Sequence, residues 1–445
     1  MANLIDNLKE KCTACETYTI TSETTSVGYS NNRLKSCDTS QSAGTALRLI
    51  NDGRLGTAVA SGEGKVDTLG ELALSVAPYG PKADFSFPKA SKTREVALYD
   101  QNEADTSVDE MVELGGKILD GLRKRWPELI CGAGVSRGTY DVEIENSQGF
   151  AGEFKGTDFG CSATAQATKE GDIFQYSSSL LGKPASDEEL EVFLERCNEG
   201  ISLGLEIAHL DPGSYPVILS PNSMPFLLRS LEAGVKGNNI FEKKSPLTDK
   251  TGELVLSPEF TLYDDPTFKR TSKSVPFDDE GVPTKKRAIF DNGVFTGPIT
   301  DLEYAAKLGS EPTGNGFRVQ HIYRNRVLSG GVSITSSNWR IPGKENGPTR
   351  DELIAEVDCG VYLDYSFDCW MGTIINGDFT GTLHSAYKIE KGKLVGRLKH
   401  LSISGNIYSA LGDKMIACSR EVRQPEIGFD YTETPYILVR EMTIS

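Results

Sequence analysis

The pattern of hydrophobic and polar residues divides the chain into a first part that mixes helices with strands and a second part made mostly of strands. Residues 16–20 are rich in β-forming residues, and short apolar runs lie on both sides of Asp52-Gly53. An Asp-Gly pair between such runs favours a two-residue β-hairpin turn. Residues 146–149, Asn-Ser-Gln-Gly, provide a second turn signal. We therefore predict a hairpin over residues 47–59 and strands over residues 139–178.

Two helices are predicted in the first part from their start signals. Ser107 is followed three residues later by Glu110, and Ser186 by Glu189, which is the spacing of a helix-capping pair. Apolar residues then recur at helical spacing, and in the first helix they are Met111, Leu114, Ile118 and Leu122. The first part should therefore contain helices that pack on a layer of strands.

The second part begins with an apolar strand at Val217, a turn, and an amphipathic helix over residues 224–236. Beyond this helix, strands and turns dominate, with short helices near Glu303 and Arg350. Hairpin turns are predicted where Gly follows Asn or Lys, as at Lys391-Gly392. This pattern is typical of an antiparallel β structure.

Length and pattern together predict an α+β protein of two domains. The 445 residues are sufficient for two or more domains. The pattern changes near residues 211–213, Asp-Pro-Gly, where we place the boundary. We expect a mixed α/β N-terminal domain over residues 1–210. The C-terminal domain, residues 211–445, should be larger, antiparallel and β-rich, in a barrel-like or sandwich-like form, with the helix over residues 224–236 at its edge.

Charge and composition exclude several classes of protein. The formal net charge of −16 gives the chain no general electrostatic reason to bind nucleic acid. No apolar run approaches the roughly 18 residues that a membrane span needs, and the first residues lack the apolar core of a signal peptide. Nine scattered cysteines are typical of reduced thiols. We expect a cytoplasmic protein that contacts neither membrane nor nucleic acid.

The helix over residues 224–236 has the setting of a metallopeptidase helix without its chemistry. Such a helix carries two His and a Glu, which hold a metal and a general base together. Here the positions after Leu227 and Leu228 include Arg229, Ser230 and Gly234. An Arg cation repels a divalent metal, and neither Ser nor Gly can act as the base. We therefore predict no catalytic residue and no metal ligand on this helix.

Two acidic groups are the densest remaining candidates for chemistry. They are Asp264 and Asp265 before a proline, and Asp278, Asp279 and Glu280 before a glycine. Paired carboxylates can hold a hard cation or perform acid–base chemistry. Asp before Pro or Gly also caps its own turn, and this interpretation is favoured because the spacing of an EF-hand loop is absent.

Histidine and cysteine patterns give weaker signals. His209, His321, His384 and His400 are too far apart in sequence to form a His-x-x-x-His pair. Cys12 and Cys15 form a CxxC without the second pair that zinc needs or the βαβ context of a redox motif. The simplest interpretation is two small residues at a helix-to-strand junction.

Many segments in a fixed order carry a family resemblance. They are LRLINDGRLGTA (47–58), ENSQGF (145–150), the helical segment 217–237, LYDDP (262–266), SVPFDDEGVPT (274–284), FDNGVFTGPITDLEYAAKLG (290–309), PTGNGFR (312–318), DELIAEVDCGVYL (351–363), NGDF (376–379), AYKIEKGKL (386–394), ISGN (403–406) and TPYILVREMTIS (434–445). Together they resemble the TldD/PmbA family, once called modulators of DNA gyrase and now regarded as a peptidase system. The resemblance covers nearly the whole chain.

The resemblance implies a role within a pair of subunits. The TldD branch carries HExxxH on the helix and a Cys in a C-G-K segment near the C-terminus, whereas this chain has Arg229, Ser230 and Gly234 and no C-G-K. It therefore resembles the PmbA (TldE) branch, and no ligand role passes to Cys418. The resemblance implies a heterodimer with a TldD-like subunit that supplies the zinc, or a homodimer in its absence. This chain itself would need no cofactor.

Unfolded peptides are the substrates that the resemblance implies. Strand-rich domains offer edges to which an extended peptide adds through backbone hydrogen bonds, largely independent of its sequence. Candidate loops for contact with peptide or partner are those that carry Asp264, Asp265, Asp278, Asp279, Glu280, Asn315 and Arg318. Two alternatives stay open. The chain could be a metal-dependent hydrolase that uses the acidic cluster or a histidine, or a regulatory, gyrase-modulating binding protein.

Overall fold

The computed structural model describes residues 2–62, 66–169, 172–268, 271, 273–322, 325–371, 373–426 and 432–445. Strands outnumber helices throughout, and they form one antiparallel sheet in the first part and a larger mixed sheet in the second. The predicted α+β class is confirmed. Within the described residues, no helix is long and apolar enough to cross a membrane.

The first sheet has six strands in the order β3-β2-β1-β4-β5-β6, and every neighbouring pair is antiparallel. The strands are β1 (Ala14–Ser30), β2 (Arg33–Asn51), β3 (Arg54–Ser61), β4 (Ile130–Asn146), β5 (Ala151–Lys169) and β6 (Asp172–Leu181). The predicted hairpin is confirmed, because Asn51 pairs with Arg54 and both turn residues have positive φ, 48° at Asp52 and 71° at Gly53. A type I′ turn needs this geometry at both central positions.

Helices cover one face of this sheet. They are α1 (Ala2–Leu8), α2 (Val66–Val76), α3 (Gln101–Ala104), α4 (Val108–Arg125) and α5 (Asp187–Leu205). Both predicted start signals are confirmed: Ser107 and Glu110 form a full capping box, and the Ser186 side chain accepts a hydrogen bond from the Glu189 amide. Helix α2 was not predicted. Its mostly apolar sequence shows weak periodicity, and contacts with β2 and β3 stabilise it.

Helix α4 illustrates how the pattern becomes a core. Met111, Ile118 and Leu122 are fully buried, and they share one cluster with residues of β4, β5 and α5. Each such side chain contributes about 1.5–3 kcal/mol on burial. Leu114, predicted on the same stripe, is only partly buried at the margin of the cluster. The helix therefore packs on β4 and β5 of the first sheet through a shared core.

The second sheet includes strands from residue 207 to residue 444. They are β7 (Ile207–Ala208), β8 (Gly213–Leu219), β9 (Leu262–Asp264), β10 (Arg287–Asp291), β11 (Val294–Phe295), β14 (Trp339–Arg340), β15 (Cys359–Met371), β16 (Asp378–Glu390), β17 (Lys393–Leu398), β18 (Ser402–Asn406), β19 (Met415–Arg423) and β20 (Thr432–Ile444), while β12 (Gly316–Ile322) and β13 (Asn325–Ile334) form a separate hairpin. The pairing within the second sheet is mainly antiparallel, but β8 runs parallel to β15, β14 to β20 and β7 to β17.

Short helices connect these strands. They are α6 (Met224–Val235), α7 (Gly237–Phe241), α8 (Leu302–Leu308), α9 (Arg350–Ala355) and α10 (Ile407–Ala410), and single 3-10 turns occur at Ala77–Tyr79 and Ile374–Asn376. The helices predicted near residues 227, 303 and 350 are confirmed as α6, α8 and α9. The domain boundary at residue 211 stays a prediction. It falls after α5 and β7 and directly before β8.

Candidate functional site

Helix α6 is buried along one side, which fixes the direction of every residue on it. It follows β8 through a turn at residues 220–223, and Pro225 stands in its first turn. Leu227, Leu231 and Val235 are fully buried in the largest core cluster. The helix therefore cannot rotate without exposing this stripe, and positions 229, 230 and 234 have fixed surroundings.

The three positions singled out from the sequence differ in exposure. Arg229 is exposed, with its guanidinium carbon 5.8 Å from the centre of the Phe226 ring. Ser230 is 1% exposed, and its hydroxyl has no hydrogen-bond partner among the described residues. Gly234 is also buried, one turn further along the same face as Ser230.

The hydroxyl of Tyr408 occupies the space beside Gly234. A Cβ atom on residue 234 would lie 1.9 Å from that oxygen, and no side chain fits there unless the tyrosine moves. Tyr408 is held in α10, where the Asn406 side chain accepts hydrogen bonds from the amides of Tyr408 and Ser409. Burial raises the pKa of the Tyr408 phenol, so the hydroxyl stays neutral. A neutral, fixed phenol therefore stands beside the helix.

A groove of about 410 Å³ lies close to this helix, between the two sheets. The edge strand β6 contributes Gln175, Tyr176 and Ser177 to its wall, and the second sheet contributes Tyr365 and His384. The ring of Phe226 on α6 contacts the Tyr365 ring edge to face, at 4.9 Å between centroids, and His384 contacts the same ring at 5.6 Å. The groove is thus separated from α6 by the Tyr365 ring, which contacts Phe226 of the helix.

The edge strand presents backbone donors to this groove. The amide of Ser179 points outward, since it donates to the Glu426 carbonyl at 2.7 Å. The N–H groups of successive residues in a strand point to opposite sides, so the amides of Ser177 and Gln175, like that of Ser179, point away from β5. An extended peptide could add to β6 through these groups. His384 beside them has a pKa lowered by burial and by Arg397, and so is neutral at pH 7.

The predicted acidic residues are buried and have partners within the chain. The carboxylate of Asp264 accepts hydrogen bonds from Asn315 at 2.8 Å and from the amide and hydroxyl of Ser337 at 2.7 Å each. Asp265 accepts from the amide and hydroxyl of Thr267, which is turn chemistry. Asp264 is 2% exposed and Asp265 4%. Both therefore act as structural acceptors in this conformation.

The second acidic group joins the two parts of the chain. Arg48 of β2 donates to Glu16 of β1 at 2.9 Å and to Glu280 at 2.6 Å. Arg318 pairs with the same Glu16 carboxylate, and its backbone amide donates to Asp279 at 2.7 Å. All five side chains are less than 5% exposed. We call this set the interior ion cluster.

Asp278 and Asp301 border the interior ion cluster. The Asp278 carboxylate accepts from the amides of Glu280, Val282 and Gly316. Burial and the Glu280 charge raise the pKa of Asp278 well above its usual value, and the same two causes raise the pKa of Asp301 to about 7. Sequence reasoning missed Glu16 and Arg48. Their signal was two opposite charges, directly opposite each other, in otherwise β-rich runs.

The remaining candidates lie apart from α6 or carry no grouped ligands. Cys12 is partly buried and Cys15 buried at the junction of α1 and β1, and burial raises the pKa of Cys15 to about 12. His209 and His400 are exposed, and the side chain of His321 falls outside the described residues. Cys418 is buried, and burial raises the pKa of its thiol to about 12. In the part of the chain that the structure describes, no three His, Cys, Asp or Glu residues are grouped to hold a metal.

Comparison with known proteins places this architecture among the PmbA/TldD-type metallopeptidase folds. The model of the PmbA/TldA metallopeptidase C-terminal domain matches residues 212–445, and that of PmbA/TldA metallopeptidase domain 1 matches residues 15–77. The first model alone covers more than half of the chain. The chain therefore belongs to the PmbA/TldD family.

Relatives and a solved structure agree with this assignment. A metalloprotease of Methanocaldococcus jannaschii is 29% identical over 248 residues, 55% of this chain and 52% of that protein. The chain thus matches about half the length of this curated relative. A metalloprotease PmbA homolog of Haemophilus influenzae is 22% identical over 90% of this chain and 87% of its own length. The crystal structure of TldE from Thermococcus kodakarensis superposes with a TM-score of 0.87 at 25% identity, over 100% of this chain and 99% of that one.

The metal that the family name implies does not fit the α6 positions of this chain. Zinc is bound by Cys, His, Asp or Glu, whereas α6 offers Arg229, Ser230 and Gly234. The Tyr408 hydroxyl occupies the volume that a ligand side chain at position 234 would need. No step of metal chemistry can be assigned to these residues.

Proposed function

We propose that this chain is the non-catalytic, PmbA/TldE-type subunit of a metallopeptidase that degrades or matures unfolded peptides in the cytoplasm. A TldD-like partner supplies the zinc and the general base in a heterodimer. In the absence of that partner the chain forms a homodimer. Family membership supports the peptidase context, and the chemistry of α6 supports the absence of catalysis in this subunit.

The observation that carries the proposal is the Tyr408 hydroxyl beside Gly234. A metal-bound hydroxide near neutral pH requires several ligands and an adjacent base. Position 230 bears a serine in place of a base, and position 234 has no room for a ligand. The helix is therefore adapted to packing, and its loss of metal chemistry involves the neighbouring α10 as well as the three substituted positions.

The groove beside α6 supports a role in holding peptide. It combines outward amides of the edge strand β6 with aromatic side chains of the second sheet. Backbone pairing with an edge strand takes unfolded chains of many sequences. The subunit can thus hold a peptide in extended form while a partner cleaves it.

The acidic residues do not favour the hydrolase alternative. Asp264, Asp265, Asp278, Asp279 and Glu280 are each less than 5% exposed and bonded to groups of the same chain. A substrate would reach them only if the chain opened. A role in contacts with peptide or partner stays a prediction for their loops, and for those of Asn315 and Arg318.

Native mass spectrometry of the tagged chain, recovered from lysate of its own cells, tests the proposal. We expect a 1:1 complex with a similar-sized partner that carries one zinc. We also expect peptidase activity only when both chains are present. Chelator-sensitive peptidase activity of the isolated chain would contradict the non-catalytic role. Recovery of a metal-free homodimer alone from those cells would contradict the heterodimer.

A further inference from the structure

A small, partly open chamber lies beside the groove, where α5, the first half of β15 and residues 423–426 meet, and the two share Tyr176. Its volume is about 80 Å³. One ordered water needs about 10–15 Å³ of such space, so the chamber has room for roughly five to eight non-hydrogen atoms. Tyr362, Tyr387 and Tyr436 form one wall, with the second and third ring centres 6.2 and 6.3 Å from the first. A small organic molecule would fill it.

Two arginines in the lining have donors without acceptors. Arg350 binds Glu199 at 2.6 Å, and Arg196 binds Glu426 at 2.7 Å, both through terminal guanidinium nitrogens. The Nε–H groups of both arginines are buried and make no hydrogen bond among the described residues, and Arg350 Nε lies 4.0 Å from Oδ1 of the exposed Asp351. An unsatisfied, buried N–H of a charged group is costly, so these positions favour an occupant with a strong acceptor.

The same lining contains a carboxylate, Asp364. Its Oδ1 accepts hydrogen bonds from Ser220 at 2.8 Å and from Asn222 at 3.0 Å. Burial raises the pKa of Asp364 to about 6, so the group is mostly ionised at pH 7. Asp364 lines the chamber together with Arg196 and Arg350.

The charges of the chamber limit which ligand it can take. Its lining carries three guanidinium groups, Arg196, Arg350 and Arg423, and three carboxylates, Glu199, Asp364 and Glu426. A ligand of net charge would unbalance this set in a site of low dielectric. A zwitterion leaves the balance unchanged and supplies an acceptor for the arginines and a donor for Asp364.

We propose that this chamber binds a small free amino acid. The α-carboxylate accepts from the Nε–H groups of Arg196 and Arg350, and the α-ammonium donates to Asp364. The five to eight atoms that fit correspond roughly to glycine, alanine or serine. An adjoining open groove of about 640 Å³ shares Glu199, Leu203 and Arg350 with the chamber and provides an approach from solvent. This binding site does not depend on the proposed peptidase role.

Isothermal titration of the full chain tests the proposal with glycine, acetate, methylamine and triglycine as probes. Glycine should give a saturable signal of one site per chain. Acetate and methylamine each lack one of the two charged groups. Each should bind at least about tenfold more weakly than glycine. Triglycine should bind weakly, since its two charges are too far apart. A water-filled chamber would give no saturable signal with glycine, and equal binding of acetate and glycine would also overturn the proposal.

Variants separate this site from a nonspecific effect. Arg350→Lys keeps a cation for Glu199 but removes the Nε–H, and Asp364→Asn keeps the oxygen that accepts from Ser220 but removes the charge. Each should lower glycine affinity about tenfold. Arg340→Lys, a matched change at an ion pair with Glu433 away from the chamber, should leave affinity within about twofold. Arg196→Lys replaces Arg350→Lys if that variant fails to fold, and unchanged affinity in both chamber variants would refute the site.

Discussion

At the scale of single residues, Gly234 of α6 and Tyr408 of α10 are linked by packing. Gly234 is compatible with the Tyr408 hydroxyl only because it has no Cβ. That hydroxyl has no hydrogen-bond partner among the described residues, so it contributes contact and no bond. The two residues are thus in steric contact. They are 174 positions apart in sequence, so the sequence pattern does not reveal this contact.

The coupling of Gly234 and Tyr408 is testable by a double-mutant cycle. Gly234→Ala should lower the free energy of unfolding by about 1–3 kcal/mol, because the added methyl would lie 1.9 Å from the phenol oxygen and the two groups would overlap. Tyr408→Phe removes the oxygen, and Gly234→Ala in that background should be neutral or stabilising by up to about 1 kcal/mol. Urea denaturation of the four proteins measures the coupling. Additive effects would contradict the contact.

At the scale of elements, the position of β6 matters more than its sequence. It is the last strand of the first sheet, and it borders the groove with Tyr365 and His384. The outward amide of Ser179 donates a hydrogen bond to the Glu426 carbonyl, whereas residues 175–177 line the groove. Strand edges of this kind bind extended chains, and here the edge is close to α6.

A proline at Ser177 tests the binding edge. Ser177→Pro removes an outward amide, and proline is tolerated on edge strands, so the sheet should persist. Binding of a reduced, carboxymethylated unfolded protein, measured by fluorescence anisotropy, should weaken at least about fivefold, the loss of one hydrogen bond. Ser177→Ala keeps the amide and serves as the control, with affinity unchanged. Equal affinities of the proline and alanine variants would show that the peptide does not pair with β6.

At the scale of the whole molecule, the interior ion cluster connects the first sheet with the segment that carries Glu280 and with the β12–β13 hairpin. Glu16 and Arg48 belong to the first sheet. Glu280 lies between β9 and β10, and Arg318 lies in β12 of the separate hairpin. A buried ion pair adds little net stability, but removing one partner leaves an uncompensated charge and is strongly destabilising. Here such pairs are combined with Asp278 and Asp301, whose pKa values burial and the Glu280 charge raise.

The raised pKa of Asp301 predicts a pH dependence of stability. The folded chain retains a proton up to about pH 7, whereas the unfolded chain loses it near pH 4, so the free energy of unfolding should fall as pH rises through this window. Asp301→Asn retains the helix cap at Tyr304 and removes the titration. Between pH 4.5 and pH 8, the free energy of unfolding of the wild type should fall by about 1–3 kcal/mol more than that of the variant. Thermal unfolding across pH measures this. Asp351→Asn, at an exposed carboxyl, should follow the wild-type curve, and a parallel curve for Asp301→Asn would refute the prediction.

The sequence by itself determined many of the elements and the residue types on α6. Turn pairs such as Asp52-Gly53, the capping box at Ser107 and the helix over residues 224–236 depend on local geometry, which neighbouring residues encode. The sequence also shows directly that positions 229, 230 and 234 carry Arg, Ser and Gly, none of which is a usual zinc ligand. Only the tertiary structure decided that Tyr408 fills the place beside Gly234, that Arg48 and Arg318 meet at Glu16, and that arginines and Asp364 enclose a chamber. These are contacts between residues up to about 300 positions apart, and a hydrophobic pattern contains no information about which distant side chains meet.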